Sequence, residues 1–361
     1  MRNMLVRFVA ENANPASRGA VCGDDLWRDL AELGILGLRL PEEYGGSGGN
    51  PFDTILVMEA LGSGLVSLPY VPTVVIAGGL LLAGGSGEQR RRLLPGIAEG
   101  KVRIAFAGYE PQSRFNPACV STRAVADDDG FVLTGHKAVV YGAPEADWLL
   151  VVARTAGEMG AENGISLFLV EAGAPGVAIR GYDTVEGMRA GDIRLEDVRV
   201  SRADLVGRED GAFELIEAAL DEAVVALSAD AVGAMDAVIR RTVEYCETRE
   251  AFGQKLAEFQ VLRHRVVDMH IALEIAAAAL LNAATALTAD RTTRRRLVSA
   301  CKVQVASEAN FVGKNAVQLH GAIGMTDELD VGQYFKRLTV FQASYGGTDW
   351  HLRRFLAHSQ A

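Results

Sequence analysis

From residue 209 to the end, the chain carries four long runs of helical pattern, 212–248, 257–288, 293–318 and 330–356, and none contains a proline. Proline removes a backbone donor and clashes with the preceding turn, so its absence leaves long helices unbroken. Four of them in succession predict an antiparallel bundle. Residues 212–248 are rich in Ala and Glu and hold one glycine, and the stretch EIAAAALLNAATAL supplies small side chains that let helices approach closely. The glycine pair Gly346–Gly347 predicts a stop near the end of the fourth run.

Two other textures precede this one. Residues 23–101 read as helical. DDLWRDLAELGILGL opens with acidic residues and spaces its apolar residues as a capped helix does, and LPEEYGGSGGNP then breaks it. Between 102 and 208 the pattern shortens to β-rich runs such as VRIAFAGYE, DWLLVVART and GISLFLVEA, bounded by Gly, Pro and Asp. DDDGFVL reads as a hairpin turn. The fold class expected is α+β multidomain. It comprises an N-terminal helical domain (1–101), a middle antiparallel β-barrel or sandwich (102–208) and a C-terminal four-helix bundle (209–361). No internal repeat appears.

The 361 residues, 49% hydrophobic and 23% charged, are those of a soluble globular protein of two or three domains. A net charge of −10 argues against nucleic acid or an anionic membrane as partner, because both repel an acidic surface. No uninterrupted apolar run suggests a transmembrane helix, and the N-terminus shows no signal peptide. Cys22, Cys119, Cys246 and Cys301 lack C-x-x-C spacing, so reduced thiols in the cytoplasm are expected. The six histidines form no metal-binding pattern.

Four segments carry a resemblance. LPEEYGG at 40–46, REAFGQKLAEFQ at 249–260, QLHGAIGMTDEL at 318–329 and YFKRL at 334–338 resemble motifs of the acyl-CoA dehydrogenases. The helical–β–helical order is similar too, and the likeness spans nearly the whole chain apart from most of the family's first helix. The family oxidises acyl-CoA thioesters. A Glu carboxylate removes the α-proton, and the β-hydride passes to FAD. In the family's dimer the flavin is shared: one subunit's β domain holds the ring, and the neighbour's bundle holds the pyrophosphate and adenosine.

The resemblance divides this chain in two. On the bundle side, Arg249 matches the arginine that meets the pyrophosphate. Phe252, Phe259 and Gln260 match nearby cofactor contacts, and Gln318 and Gly321 match the adenosine-side turn, with Ala322 where a second glycine is usual. The bland alternative for Arg249 is a surface ion pair beside a helix end. On the ring side the family reads T-E-x-x-x-G-S-D, whereas here the segment is AGYEPQSRFNPAC. Tyr109 stands where the threonine should be. In the W-x-I-T-N segment, Ala138 takes the place of the tryptophan, Tyr141 of the threonine and Gly142 of the asparagine. Tyr109 and Tyr141 could supply substitute contacts.

Both family positions for the base are empty. Aligning Tyr345 and Thr348 with Y-E-G-T puts Gly346 at the Glu, and counting twenty-six residues back from Arg249 lands on Ala223. The resemblance therefore implies a non-catalytic subunit that completes the FAD site of a homologous catalytic large subunit, in an α2β2 assembly acting on an acyl-CoA. It is most like the small subunits of pimeloyl-CoA and steroid side-chain dehydrogenases. Two alternatives remain open: a self-sufficient enzyme using Glu222 or Asp221 as a displaced base, and a flavin-free acyl-CoA-binding scaffold.

Overall fold

The structure is a computed structural model that describes residues 2–12, 23–326 and 328–358; Cys22 lies outside them. The chain groups into two compact units.

The first unit takes Gly23–Asn50 and Leu68–Ala223. Its helices are α2 (Asp24–Glu32), α4 (Gly78–Gly84) and α5 (Gly87–Ala98), with a rare π turn at Val71–Ala77. Its strands are β1 (Ile104–Ala107), β2 (Arg123–Asp127), β3 (Gly130–Tyr141), β4 (Trp148–Arg154), β5 (Ile165–Glu171), β6 (Val177–Asp183), β7 (Arg189–Ser201) and β8 (Leu205–Val206). They form one eight-stranded sheet in the order β6-β7-β3-β2-β4-β5-β8, with β1 added beside β4. The pairing is mostly antiparallel, as expected, but β1 runs parallel to β4, and β2 meets β4 in parallel at a single pair, Arg123 and Arg154. The expected DDDGFVL turn joins β2 to β3. Phe131, Leu133, Val151, Phe168 and Ile193 share the core of this sheet, with the rings of Phe131 and Phe168 5.0 Å apart. Each such side chain contributes about 1.5–3 kcal/mol by leaving water.

The second unit takes the described residues of Met1–Cys22, Pro51–Ser67 and Val224–Ala361. It holds α1 (Arg2–Asn12), α3 (Pro51–Ser63), most of α6 (Phe213–Thr248), α7 (Gln260–Ala286), α8 (Arg291–His320), α9 (Val331–Ala343) and α10 (Thr348–Ala357). The first three long helices lie where the sequence puts them. The fourth is two, α9 and α10, broken at Ser344–Gly347, where Tyr345 and Gly346 take φ of 52° and 116°. α3 crosses α6 at reciprocal glycines. A Cβ on Gly62 would lie 2.0 Å from the Asp230 carbonyl oxygen, and one on Gly233 would lie 2.0 Å from the Glu59 carbonyl oxygen. Arg337 of the YFKRL segment braces the crossing. Its guanidinium donates to both carboxylate oxygens of Asp230, at 2.7 and 2.8 Å, and to the Val66 carbonyl.

α7 bears on the expectation of no membrane span. It is long and apolar enough, by length and composition, to cross a membrane, with a mean hydropathy of 1.5 over its most apolar window. In the fold it packs along α8 through Met269, Ala272, Leu273, Ala276 and Leu280. Val267, Ile271 and Ile275, spaced four apart, form an exposed stripe on its other side.

Candidate functional site

The second unit assembles the residues matched to the cofactor's pyrophosphate and adenosine. Past α6 the chain makes a two-residue hairpin between β9 (Glu250–Ala251) and β10 (Gln254–Lys255). Its turn residues, Phe252 and Gly253, have φ of 54° and 85°, the signs a type I′ turn requires. Glycine adopts this freely, but phenylalanine is strained there. Phe252 nevertheless stands 95% exposed, touching only the edge of Phe259, with ring centroids 6.4 Å apart. A strained, exposed aromatic residue points to a functional position.

Arg249, at the base of this hairpin, is exposed, and its guanidinium has neither an ion pair nor a hydrogen bond among the described residues. The surface ion pair allowed by the sequence is not present. Tyr245 stacks on His320 with ring centroids 4.4 Å apart, and its hydroxyl donates to the His320 carbonyl. This ties the end of α6 to the end of α8, so Arg249 and Gln318 share one end of the bundle. Burial lowers the His320 pKa, which keeps that imidazole neutral. Gln318 is exposed, as are Gln260, Gly321 and Ala322, and Phe259 is half-buried. Gly321 ends α8 at φ 68° and ψ −144°, a conformation close to one reserved for glycine.

The first unit holds the residues matched to the flavin ring. The loop after β1 is anchored by Glu110, which sequence reasoning missed. This buried carboxylate accepts hydrogen bonds from the Lys137 ammonium (2.8 Å), the Ser121 and Thr122 amides and the Gln112 side chain. Burial works against its charge, but Lys137 and the other donors outweigh it and hold its pKa down to about 2. Its hint in the sequence is the Glu that ends the run VRIAFAGYE. Tyr109 beside it packs edge-on to Phe115, with ring centroids 6.3 Å apart. Arg114 and Phe115 are both in the left-handed region.

The Tyr109 carbonyl accepts from the Ala138 amide, which joins this loop to β3. There the register with β7 slips between Lys137 and Val140. The bulge leaves Ala138 half-buried and exposes Val139, 50% exposed at φ 52°. Val139 N donates to Asp192 Oδ1, and so does the Tyr182 hydroxyl. Burial and Asp192 push that hydroxyl's pKa up to about 12. Tyr141 ends β3, and Gly142 turns the chain at φ 76°. The structure thus brings Tyr109 and Ala138 together. It adds Phe115 and Val139, and no indole or small hydroxyl stands at the positions matched to them.

Neither position matched to the family's base, Gly346 or Ala223, carries a carboxylate. Ala223 is fully buried in α6. Glu222, the displaced candidate, is gripped by Arg39 at 2.6 and 3.3 Å. Burial would lower the Arg39 pKa, but Glu222 raises it, so the guanidinium keeps its charge. Glu222 is thus committed to an ion pair with Arg39. Asp221 is 2% exposed. No turnover of an acyl-CoA by the isolated chain is therefore expected in a dye-reduction assay. Turnover that disappears in Glu222→Gln would revive the displaced base.

Among the described residues, no group of three His, Cys, Asp or Glu side chains could hold a metal ion. Three family profiles match in chain order: Acyl-CoA dehydrogenase, N-terminal domain (1–101), middle domain (105–198) and C-terminal domain (210–360). Acyl-CoA dehydrogenase FadE12 of Mycobacterium tuberculosis is 32% identical over 313 residues, covering 85% of this chain and 80% of the relative. The chain belongs to the acyl-CoA dehydrogenase family. Its fold is the acyl-CoA dehydrogenase fold, and the family is FAD-dependent. Caffeyl-CoA reductase-Etf complex subunit CarC of Acetobacterium woodii is 30% identical over 324 residues, 88% of this chain and 85% of that one. The solved Tcur3481-Tcur3483 steroid ACAD G363A variant superposes with a TM-score of 0.88 at 28% identity, covering 99% of this chain and 96% of that one. Some acyl-CoA dehydrogenase relatives therefore act within complexes of more than one kind of chain.

Proposed function

We propose that this chain is the non-catalytic subunit of a heteromeric acyl-CoA dehydrogenase, completing an FAD site whose ring and base belong to a homologous catalytic subunit, as α2β2. Gly346 is the observation that carries this reading. A chain of this family with glycine at the base position, alanine at the alternative one and Glu222 held by Arg39 has no group to remove an α-proton. The alternatives gain no such support. A scaffold without flavin leaves the free Arg249 and the strained Phe252 unexplained.

The parts of FAD fit this chain unequally. Arg249 offers an uncommitted guanidinium suited to a pyrophosphate, and Gln318 and the Gly321 turn offer an amide and close backbone approach beside it. The ring face, with Tyr109 against Phe115 and with Val139 exposed, lacks the small hydroxyl and the indole. When bound, FAD supplies the hydride acceptor. This chain's residues hold its charged end and shield it from water. The exposed α7 stripe gives a partner chain an apolar face to cover. The steroid relative and the resemblance to steroid side-chain subunits support a bulky acyl group as substrate, and the free Cys119, Cys246 and Cys301 fit a cytoplasmic setting.

The test is Arg249→Ala, co-purified with the proposed catalytic subunit. An arginine on a pyrophosphate contributes about 1.5–3 kcal/mol, so FAD should bind roughly tenfold to a hundredfold more weakly while the complex still assembles. Unchanged flavin per heterodimer in an intact complex would end the shared-site reading.

A further inference from the structure

The place of the missing base is not an open gap. At φ 116°, Gly346 has a backbone that L side chains rarely adopt. A Cβ built there would lie 2.5 Å from His351 Nε2, 2.8 Å from its Cδ2 and 3.0 Å from Trp350 Cε3. His351 cannot easily move aside. It is 1% exposed and tied at both ring nitrogens, to the Tyr345 carbonyl at 3.2 Å and to Ser299 Oγ at 3.3 Å.

The hydrogen bonds have one consistent direction. A carbonyl only accepts, so Nε2 carries the hydrogen and Nδ1 is the bare acceptor of the Ser299 hydroxyl. Arg354 Nη1 in turn donates to Ser299 Oγ at 3.3 Å. The relay therefore runs Arg354, Ser299, His351, Tyr345 carbonyl, with a neutral imidazole. Burial, with the positive charge of Lys302 nearby, pushes the His351 pKa down to about 3, in agreement with that tautomer. On the α9 side of the break, the buried Lys302 amine donates to the Phe341 carbonyl and lies over the Phe341 ring, 3.6 Å from its centroid. Both ends of the Ser344–Gly347 break are thus clamped from α8 and α10.

We propose that His351 is a wedge that closes the base position, making residues 346 and 351 one coupled pair, so that no single substitution at 346 restores a catalytic side chain. This rests on the non-catalytic reading above and deepens it, since the loss of the base is then built into the local packing and not confined to one codon. A carboxylate at 346 needs both a backbone of the opposite φ sign and a smaller residue at 351.

The pair is tested on the isolated chain, by thermal and urea unfolding, with no partner or flavin. Gly346→Ala is compared in the wild-type chain and in the His351→Ala background. The φ strain is present in both, whereas the wedge is present only in the first. Gly346→Ala should lower the folded-to-unfolded ratio at least about tenfold more in the wild-type chain. His351→Asn, shorter but with an Oδ1 that can take the place of Nδ1 as acceptor of the Ser299 hydroxyl, serves as a second background should His351→Ala fold poorly, and the same relief is expected in it. Equal penalties in all backgrounds would overturn the wedge. They would leave the shared-cofactor reading intact, because Arg249→Ala and flavin content test that separately.

Discussion

Gly233→Ala should cost this chain about 3 kcal/mol or more, a large part of the usual total of about 5–15 kcal/mol. The added Cβ would fall 2.0 Å from the Glu59 carbonyl oxygen, a backbone atom of α3 that no rotamer change can move. The helices must separate, and the Asp230–Arg337 pair beside the crossing must stretch with them. Gly62→Ala meets the same obstacle from the other helix, against the Asp230 carbonyl. Once one substitution has forced α3 and α6 apart, the second costs little, so the double variant should be less unstable than the sum. Urea unfolding of the three variants checks this. A midpoint for Gly233→Ala within 0.5 M of the wild type would show that the helices do not cross this closely.

Lys137→Met should cost about 3–5 kcal/mol at neutral pH, because it leaves Glu110 charged, buried and without its cation. The pH dependence gives a second check. Glu110 is lowered from 4.5 to about 2 in the folded chain, so its stabilisation is complete above the unfolded value and is lost as pH falls through about 2. In Lys137→Met the remaining donors from Gln112, Ser121 and Thr122 lower that pKa less, and burial raises it. The variant should therefore close part of the gap to wild type as pH drops from 7 to 4, because its Glu110 can be neutralised by protonation. Adding Glu110→Gln should recover part of the loss at pH 7. A gap that stays constant between pH 7 and 4 would mean the pair is solvated.

The helical parts of the fold were legible because helix signals are local. Periodicity, missing prolines and the glycine pair need only neighbouring residues, and the first three bundle helices follow from them. The β unit was legible as strands but not as pairings. Nothing near Ile104 announces a parallel partner at Trp148, since that register depends on how the chain returns to the sheet. Among candidate site residues, Arg249, Phe252 and Gln318 could be nominated because the resemblance rests on contiguous motifs. The Glu110–Lys137 pair and the His351 wedge were not. Each joins residues distant in sequence or requires a backbone angle, φ 116° at Gly346, that composition does not encode. The sequence put Ala138 at the aromatic wall, but the bulge turns Val139 outward, and a bulge is invisible to a pattern of period two. The same limit hides α7's membrane-like length, whose apolar character is divided between a face on α8 and a face left open.

The interleaving of the second unit sets an order of events during synthesis. Residues 51–67 emerge early, yet the segment of α6 that covers them begins at Val224, after all of residues 68–223 have been made. At about 5–20 residues per second, α3 waits on the order of ten seconds for its α6 partner, with only α1 of its own unit already made. The intervening segment can fold on its own in that time, because its strands, their partners and its helices are all present before Val224 leaves the ribosome. A stalled or truncated chain would therefore be a folded β unit joined to an α3 that still lacks its α6 partner. That species is the one a cell's chaperones must hold until the last third of the protein arrives.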